Sequence, residues 1–470
     1  MKQYMYKNFI IILFSIFSYA CVATGTFQKN YHKRKINNYI TSLIENNNLN
    51  MTLGIKVISL EDGKSLYELN AEKLLIPASN IKLLTSAASL YYLGPNHIFS
   101  TMVLKKNNNL ALIGSADPGL SVKRLDSLAN IVSRQMEKID TLFLDNGILD
   151  SINFGKGWMW DEGSEEFSAA ISGLTLNNNC IDFQYSPGEL SRPATITIFP
   201  NTSFISFENN SLTVMDTVEY KKFNIERNWI NQTNHFNISG EILINSEKDT
   251  IKKNIFNPTL FTGTVFKELL ESYGTTVEEI EIRHRINFKD TIAINYSKSL
   301  DQYLKSMMQK SENLTAELFI KSMGISDTSI GNWNNGVLAV KKFLYDQANI
   351  DTSLFRLADG SGLSRYNLIN ANQVVQLLAY MNDSKWQNTF INTLPYGNEK
   401  NTRLEGRLME SGNKLFAKTG SISGVSCLSG YAYSNNYGPI AFSILINGFV
   451  GSIQPYRKFQ DDICNYLVKN

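Results

Sequence analysis

Ser79 and Lys82 stand three positions apart in the stretch Ile76-Pro77-Ala78-Ser79-Asn80-Ile81-Lys82-Leu83-Leu84. A serine hydroxyl attacks well only when a neighbouring base takes its proton, and a lysine amine held neutral is such a base. Pro77 suits the first turn of a helix, where its missing N–H costs nothing. Ile81, Leu84, Ala88 and Tyr91 then recur at helical spacing until Gly94-Pro95 ends the run. The spacing predicts a helix with Ser79 near its N-terminus and Lys82 one turn on, on the same face. Alone the pair is weak: chance supplies about two or three Ser-x-x-Lys in a chain this long, and a serine at a helix start is commonly an N-cap.

Two later segments change the weighing. Ser311-Glu312-Asn313 falls at the junction of two predicted helices, and Lys418-Thr419-Gly420-Ser421 follows Phe416-Ala417 and leads into a predicted strand. Taken singly, Ser311 reads as a cap and Asn313 as a turn residue. A Lys-Thr-Gly triplet, however, arises by chance in only about one in ten chains of this length. The ordered set Ser-x-x-Lys, Ser-x-Asn, Lys-Thr-Gly points to acyl transfer through a serine nucleophile. The chain has only four histidines (His32, His97, His235, His284) and no G-x-S-x-G elbow, so a Ser-His-Asp arrangement is disfavoured and the base should be Lys82. Cys21, Cys180, Cys427 and Cys464 have no CxxC spacing and there is no HExxH, so neither metal nor cofactor is expected.

The elements that must position these residues follow from pattern. Gly54–Leu60 and Ser65–Asn70 alternate around Asp62-Gly63 and read as a hairpin. From about Phe99 to Phe288 short alternating segments separated by Gly, Asn and Pro read as a mostly β region, interrupted by one helical patch, Val265–Tyr273. Helical texture returns over Leu300–Met308, Leu314–Met323, Gly336–Gln347 and Ala371–Met381. A hairpin of Cys427–Tyr433 and Ile440–Ile446 follows, then an amphipathic helix, Tyr456–Leu467. The 470 residues are 43% hydrophobic, 19% charged and carry a net charge of +2, a globular composition with nothing that argues for nucleic acid. Lys2 and Lys7, the short apolar run Phe9–Phe17 and Ser18-Tyr19-Ala20 read as a secretory signal over residues 1–20. Cys21 directly after Ala20 offers a lipid anchor as the alternative to a plain cleaved signal, although Ser18 and Tyr19 fit an apolar lipobox poorly.

Six segments carry a closer resemblance: Pro77-Ala78-Ser79-Asn80-Ile81-Lys82, Gly114-Ser115-Ala116-Asp117-Pro118, Gly157-Trp158-Met159-Trp160-Asp161, Ser311-Glu312-Asn313-Leu314-Thr315-Ala316-Glu317, Asp359-Gly360-Ser361-Gly362-Leu363-Ser364-Arg365 and Lys418-Thr419-Gly420-Ser421. From about residue 50 to the C-terminus the chain resembles the D-alanyl-D-alanine carboxypeptidase/endopeptidases, the class C low-molecular-mass penicillin-binding proteins. About 228 residues separate Lys82 from Ser311, which matches their two extra domains; β-lactamases have a far shorter gap. One departure is Ala116, where the family often has a second Gly in a turn.

The resemblance implies an α+β fold: a penicillin-binding-protein/β-lactamase-like transpeptidase core, an antiparallel sheet flanked by helices, with a large β-rich double insertion. The division expected is core over 24–97 and 290–470, one inserted domain over 98–120 and 201–289, and a second over 121–200. It implies an exported, periplasmic serine D-Ala-D-Ala carboxypeptidase, with DD-endopeptidase activity in addition, acting on peptidoglycan stem peptides and inhibited covalently by β-lactam antibiotics. A β-lactamase-related serine hydrolase and a non-catalytic wall-binding protein are the rival readings. In the implied roles Ser79 is the nucleophile and Lys82 its base, its pKa lowered by burial and by the like charge of Lys418. Ser311 relays a proton, Asn313 holds the substrate amide, Lys418 and Thr419 take a terminal carboxylate, and the N–H groups of Ser79 and Ser421, beyond Gly420, form an oxyanion hole. A diaminopimelate side chain ends in an ammonium beside a carboxylate. Arg365 suits the carboxylate, Asp161 or Glu162 the ammonium, and Phe167 the methylenes.

Overall fold

The computed structural model describes residues 34–47, 49–216, 221–326 and 328–470; the expected signal segment and Cys21 lie outside them. The hairpin around Asp62-Gly63 forms as its pattern requires: Thr52–Ser59 pairs antiparallel with Ser65–Leu69, and Gly63 takes the left-handed conformation (φ 68°). The other edge of Thr52–Ser59 pairs with Gly438–Asn447, which runs against Val425–Ser434, which in turn pairs with Leu415–Ile422. The result is a five-stranded antiparallel sheet built from both ends of the described chain, with Leu415–Ile422 at one edge.

Alternation decides what covers each face. Leu53, Ile55 and Val57 point to one side, where helices over 34–47 and Gln454–Lys469 bury Ile36, Ile40, Phe459, Ile463 and Leu467 against them. On the opposite side lie the helices Ile81–Tyr92, Leu300–Lys310, Asn313–Met323, Trp333–Asp346 and Ala371–Asp383. Every residue from Ile81 to Leu90 is buried, so this helix is walled in on all sides, its polar Lys82, Thr85, Ser86 and Ser89 included. The α+β expectation thus holds.

The intervening region is less purely β than its pattern suggests. Its larger sheet has the order Thr276–Ile282, Lys138–Asp145, Asn109–Ile113, Ile98–Lys106, Asp290–Ser299, the first three strands parallel and the rest antiparallel. Two helices cover it: Pro258–Ser272, where a shorter patch was expected, and Val122–Ser133, which was not anticipated; its Leu125, Leu128, Ala129 and Val132 are buried at helical spacing. Smaller sheets fill the remainder: Cys180–Ser186 between Thr195–Phe199 and Asp249–Asn254, His235–Ser239 between Asn224–Arg227 and Ser206–Asn209, and Leu212–Val214 with Glu241–Leu243.

The expected domain boundaries at 120/121 and 289/290 cut through the larger sheet. Lys138–Asp145 is one of its inner strands, and Asp290–Ser299 pairs with Ile98–Lys106, so the chain leaves and re-enters the core through adjacent strands. The parallel pairing of Asn109–Ile113 with Lys138–Asp145 needs a crossover, which Val122–Ser133 supplies. Where this region meets the core, buried Asp117 accepts from Tyr303 Oη at 2.9 Å and pairs with Arg124 Nη1 at 3.1 Å. Ala116 beside it lies at φ 62°, a left-handed conformation that glycine adopts at less cost.

Candidate active site

Ser79 sits in a single 3-10 turn, Ala78–Asn80, that runs directly into the Ile81–Tyr92 helix. Ala78 is held at φ 46°, a strained conformation for a residue with a Cβ, immediately before the serine. Two glycines hold it there. A Cβ on Gly362 would lie 1.8 Å from the Ala78 carbonyl oxygen, and one on Gly420 2.6 Å from that of Pro77. Asn80 Nδ2 donates to Ser429 Oγ at 2.7 Å and ties the turn to the central sheet. Ser311 occupies the kink between Leu300–Lys310 and Asn313–Met323, also left-handed (φ 65°). Lys418 to Ser421 lie in the edge strand Leu415–Ile422.

These segments, at least about a hundred residues apart in sequence, meet at a few side-chain atoms. Lys82 Nζ is 3.0 Å from Ser79 Oγ, 2.7 Å from Asn313 Oδ1 and 2.8 Å from the Ser361 carbonyl oxygen. Lys418 Nζ is 2.9 Å from Ser311 Oγ and 2.9 Å from the Thr419 carbonyl oxygen. Both lysines are fully buried. Burial brings the Lys82 amine down to about 7; the carboxylates of Glu317 and Asp359 oppose that fall and Arg403 adds to it. Lys418 is held well below the ordinary lysine range by burial, by the charge of Lys82 and by Arg403. The expected effect of burial on Lys82 is present, and the like-charge effect comes from Arg403. An amine near neutrality within hydrogen-bond reach of a hydroxyl can take its proton.

Asn313 spends its amide on the protein: its Oδ1 accepts from Lys82 and its Nδ2 donates to the Phe167 carbonyl oxygen at 2.8 Å. A cleft of about 360 Å³ opens over these groups, lined among others by Ser79, Ser311, Asn313, Thr419, Ser421, Glu162, Phe167 and Arg365. Glu162 faces this cleft, and its carboxyl is raised by burial and by Asp161, while Arg365 opposes the rise. Asp161 is exposed and not part of the lining, so of the two acids it is Glu162 that shares the cleft with Arg365. Arg365 Nη2 donates to the Ser423 carbonyl oxygen at 3.0 Å.

Pattern reading missed the groups that hold Lys82 in place. Buried Glu317 accepts from the N–H groups of Gly360 and Ser361, at 3.0 and 2.7 Å, and from Trp333 Nε1 at 2.7 Å. Its carboxyl is raised to about 7, burial first and Asp359 second. Asp359 accepts from the N–H groups of Gly362 and Ser364, from Asn367 Nδ2 and from Trp158 Nε1, at 2.9, 2.6, 2.7 and 3.0 Å. Two carboxylates thus shape the Gly-rich loop so that the Ser361 carbonyl faces Lys82. Both acids lay inside segments singled out for other residues. Arg403, Arg407 and Arg457 also line the cleft, and nothing local in the sequence marks them.

A profile described as the D-Ala-D-Ala carboxypeptidase 3 (S13) family matches residues 36–466. A D-alanyl-D-alanine carboxypeptidase of Actinomadura sp. (strain R39) is 30% identical over 424 residues, covering 85% of this chain and 78% of that one. The crystal structure of penicillin-binding protein 4 (dacB) from Haemophilus influenzae superposes with a TM-score of 0.79 at 23% identity, covering 92% of this chain and 99% of that one. A second structure of that protein, complexed with a β-lactam, gives 0.74 at 22% identity, with the same coverage.

Proposed function

The chain belongs to the D-Ala-D-Ala carboxypeptidase 3 (S13) family and is a serine D-Ala-D-Ala carboxypeptidase, and on that premise we propose that Ser79 is its nucleophile, with Lys82 the base. Neutral Lys82 takes the Ser79 proton as Oγ attacks the carbonyl of the penultimate D-alanine. The N–H groups of Ser79 and Ser421 receive the developing oxyanion, at about 3 kcal/mol per donor. Ser311, backed by Lys418, passes a proton to the departing amine, and the C–N bond breaks to leave the acyl-enzyme. Water then attacks the ester, gives up a proton and releases the shortened peptide and the serine. Lys418 and Thr419 take the carboxylate of the leaving residue. Asn313 keeps Lys82 in line and reaches the substrate amide by giving up the Phe167 carbonyl. The observation that carries this reading is the 3.0 Å approach of an amine with a pKa of about 7 to the Ser79 hydroxyl.

Arg365 and Glu162, with Phe167, are the pocket for a side chain ending in a carboxylate and an ammonium, as diaminopimelate does. β-Lactams acylate the same serine; the β-lactam complex of the H. influenzae protein supports that reading. The enzyme is exported to the periplasm by the segment 1–20, as a cleaved form, with the Cys21 lipid anchor the alternative. The sheets support a division into a core of 34–97 and 300–470 and an insertion of 98–299. The test is hydrolysis of a diaminopimelate pentapeptide ending in D-Ala-D-Ala. Wild type releases D-alanine and Ser79→Ala does not; undiminished release by that variant contradicts the assignment.

A further inference from the structure

The Gly157-Trp158-Met159-Trp160-Asp161 segment carries two tryptophans, and the fold makes use of one. Trp158 Nε1 donates to Asp359 at 3.0 Å and its ring meets Trp333 edge-on at 6.1 Å, so it supports the loop behind Lys82. Trp160 is 77% exposed. Its ring lies against Trp229, centroids 5.3 Å apart and planes tilted by 49°. Trp229 Nε1 donates to the exposed Glu226 at 3.3 Å, and the chain neighbours Met159 and Ile230 are exposed as well. A lone exposed apolar side chain is ordinary, whereas two indoles in contact, with acids beside them, mark a ligand surface. The pair is fixed to the catalytic cleft. Glu162, which lines that cleft, is two positions from Trp160. Gly163 follows at φ 64°, and a Cβ there would lie 3.4 Å from Trp229 Nε1. Ser164 Oγ accepts from the Arg227 N–H at 3.3 Å, and Asn254 Nδ2 donates to the Gly163 carbonyl oxygen at 3.3 Å. One short loop therefore carries Glu162 and seats the indole pair.

We propose that Trp160 and Trp229 bind a sugar ring, the amino sugar to which a stem peptide is joined at its amino end. This rests on the carboxypeptidase reading and deepens it, adding the glycan to the substrate that the enzyme holds. A pyranose has faces of C–H groups and an edge of hydroxyls. Its faces suit an indole, and the exposed carboxylates of Asp161 and Glu226 accept from its hydroxyls. A wholly apolar occupant would leave both acids desolvated without partners, which is costly. Reach agrees with this placement. The Arg365–Glu162 pocket is assigned to diaminopimelate, and two residues separate diaminopimelate from the sugar, a span of roughly 7–10 Å. Cα atoms two positions apart, as in Trp160 and Glu162, are at most about 7 Å from one another. The sugar therefore reaches the indoles while the diaminopimelate stays in its pocket.

The test compares kcat/KM on a diaminopimelate pentapeptide ending in D-Ala-D-Ala with that on the same peptide carrying its disaccharide. Wild type should favour the disaccharide form at least about fivefold. Trp160→Ala should remove most of that preference, and Trp160→Tyr, which keeps an aromatic face, should retain most of it. The rate of penicillin acylation reports on the shared catalytic groups. A wild-type enzyme without the preference overturns the proposal, as does an unchanged ratio in Trp160→Ala or a parallel fall of both substrates and of penicillin acylation. So does a loss of self-association in Trp160→Ala with the ratio intact, which would give the patch to a second copy of the chain. Wild type that cleaves neither substrate overturns the carboxypeptidase reading too.

Discussion

Lys82 Nζ lies 2.7 Å from Asn313 Oδ1, nearer than its 3.0 Å approach to the Ser79 hydroxyl. A neutral amide there holds the amine in place without holding its proton. Asn313→Asp should therefore do harm of a particular kind. A carboxylate in that position favours the ammonium, and the pKa of Lys82 rises from about 7. The acidic limb of the kcat/KM–pH profile for acylation should move to higher pH by at least about one unit. A limb that stays put, with only the plateau lowered, would mean that Lys82 is not the group titrating.

Glu317→Gln should move the same limb in the opposite direction. The Glu317 carboxylate is the largest influence opposing the depression of Lys82 by burial, so removing its charge lowers the amine further. Stability carries its own sign. The Glu317 carboxyl is raised in the fold, so its contribution is full below the unfolded pKa of 4.5 and is lost as pH rises through about 7. Chemical denaturation at pH 5 and pH 8 should show a smaller pH dependence in the glutamine variant. A pH dependence identical to wild type would contradict the placement of Glu317 as a buried, raised carboxyl.

Gly362→Ala tests the packing behind the nucleophile. At φ 83°, with a Cβ 1.8 Å from the Ala78 carbonyl oxygen, the substitution cannot be absorbed without moving the turn that carries Ser79. Acylation by penicillin should fall at least about a hundredfold, because a displacement of about 1 Å at a reacting atom costs on that order. Thermal melting separates this from unfolding: a folded variant with normal acylation would show that Gly362 does not set the Ser79 position.

Arg365→Ala should cut kcat/KM on a diaminopimelyl-D-Ala-D-Ala peptide at least about tenfold, roughly 1.4 kcal/mol of lost transition-state binding. Penicillin lacks that side chain, so its acylation rate should change much less. Equal losses for peptide and drug would place Arg365 in support of the catalytic loop, through its bond to the Ser423 carbonyl.

Ser79, Lys82, Ser311 and Lys418 were legible in sequence because each lies in a short motif whose spacing has a chemical reason. The central sheet was legible because Thr52–Ser59 and Gly438–Asn447 are short, mostly apolar runs, buried on both faces over most of their length. What escaped depends on contacts between distant segments. Asp359-Gly360-Ser361-Gly362 reads as a tight turn, and nothing local shows that the Ser361 carbonyl ends 2.8 Å from Lys82. Glu317 looks like one more helical glutamate until Trp333 and the loop N–H groups close around it. Asp161 and Glu162 are adjacent and chemically alike; only backbone direction decides which one faces the cleft. Asp290–Ser299 alternates weakly, since most of its residues are exposed or half-buried, and its pairing with Ile98–Lys106 is a long-range choice.

The most direct measurement is intact-mass analysis after penicillin treatment, followed by peptide mapping. Wild type should carry one covalent adduct, located on the peptide containing Ser79. Lys82→Arg should form it far more slowly although the charge is kept, since arginine does not give up its proton. Ser79→Ala should carry none. An adduct of the same mass on the Ser79→Ala protein would contradict the account at its centre.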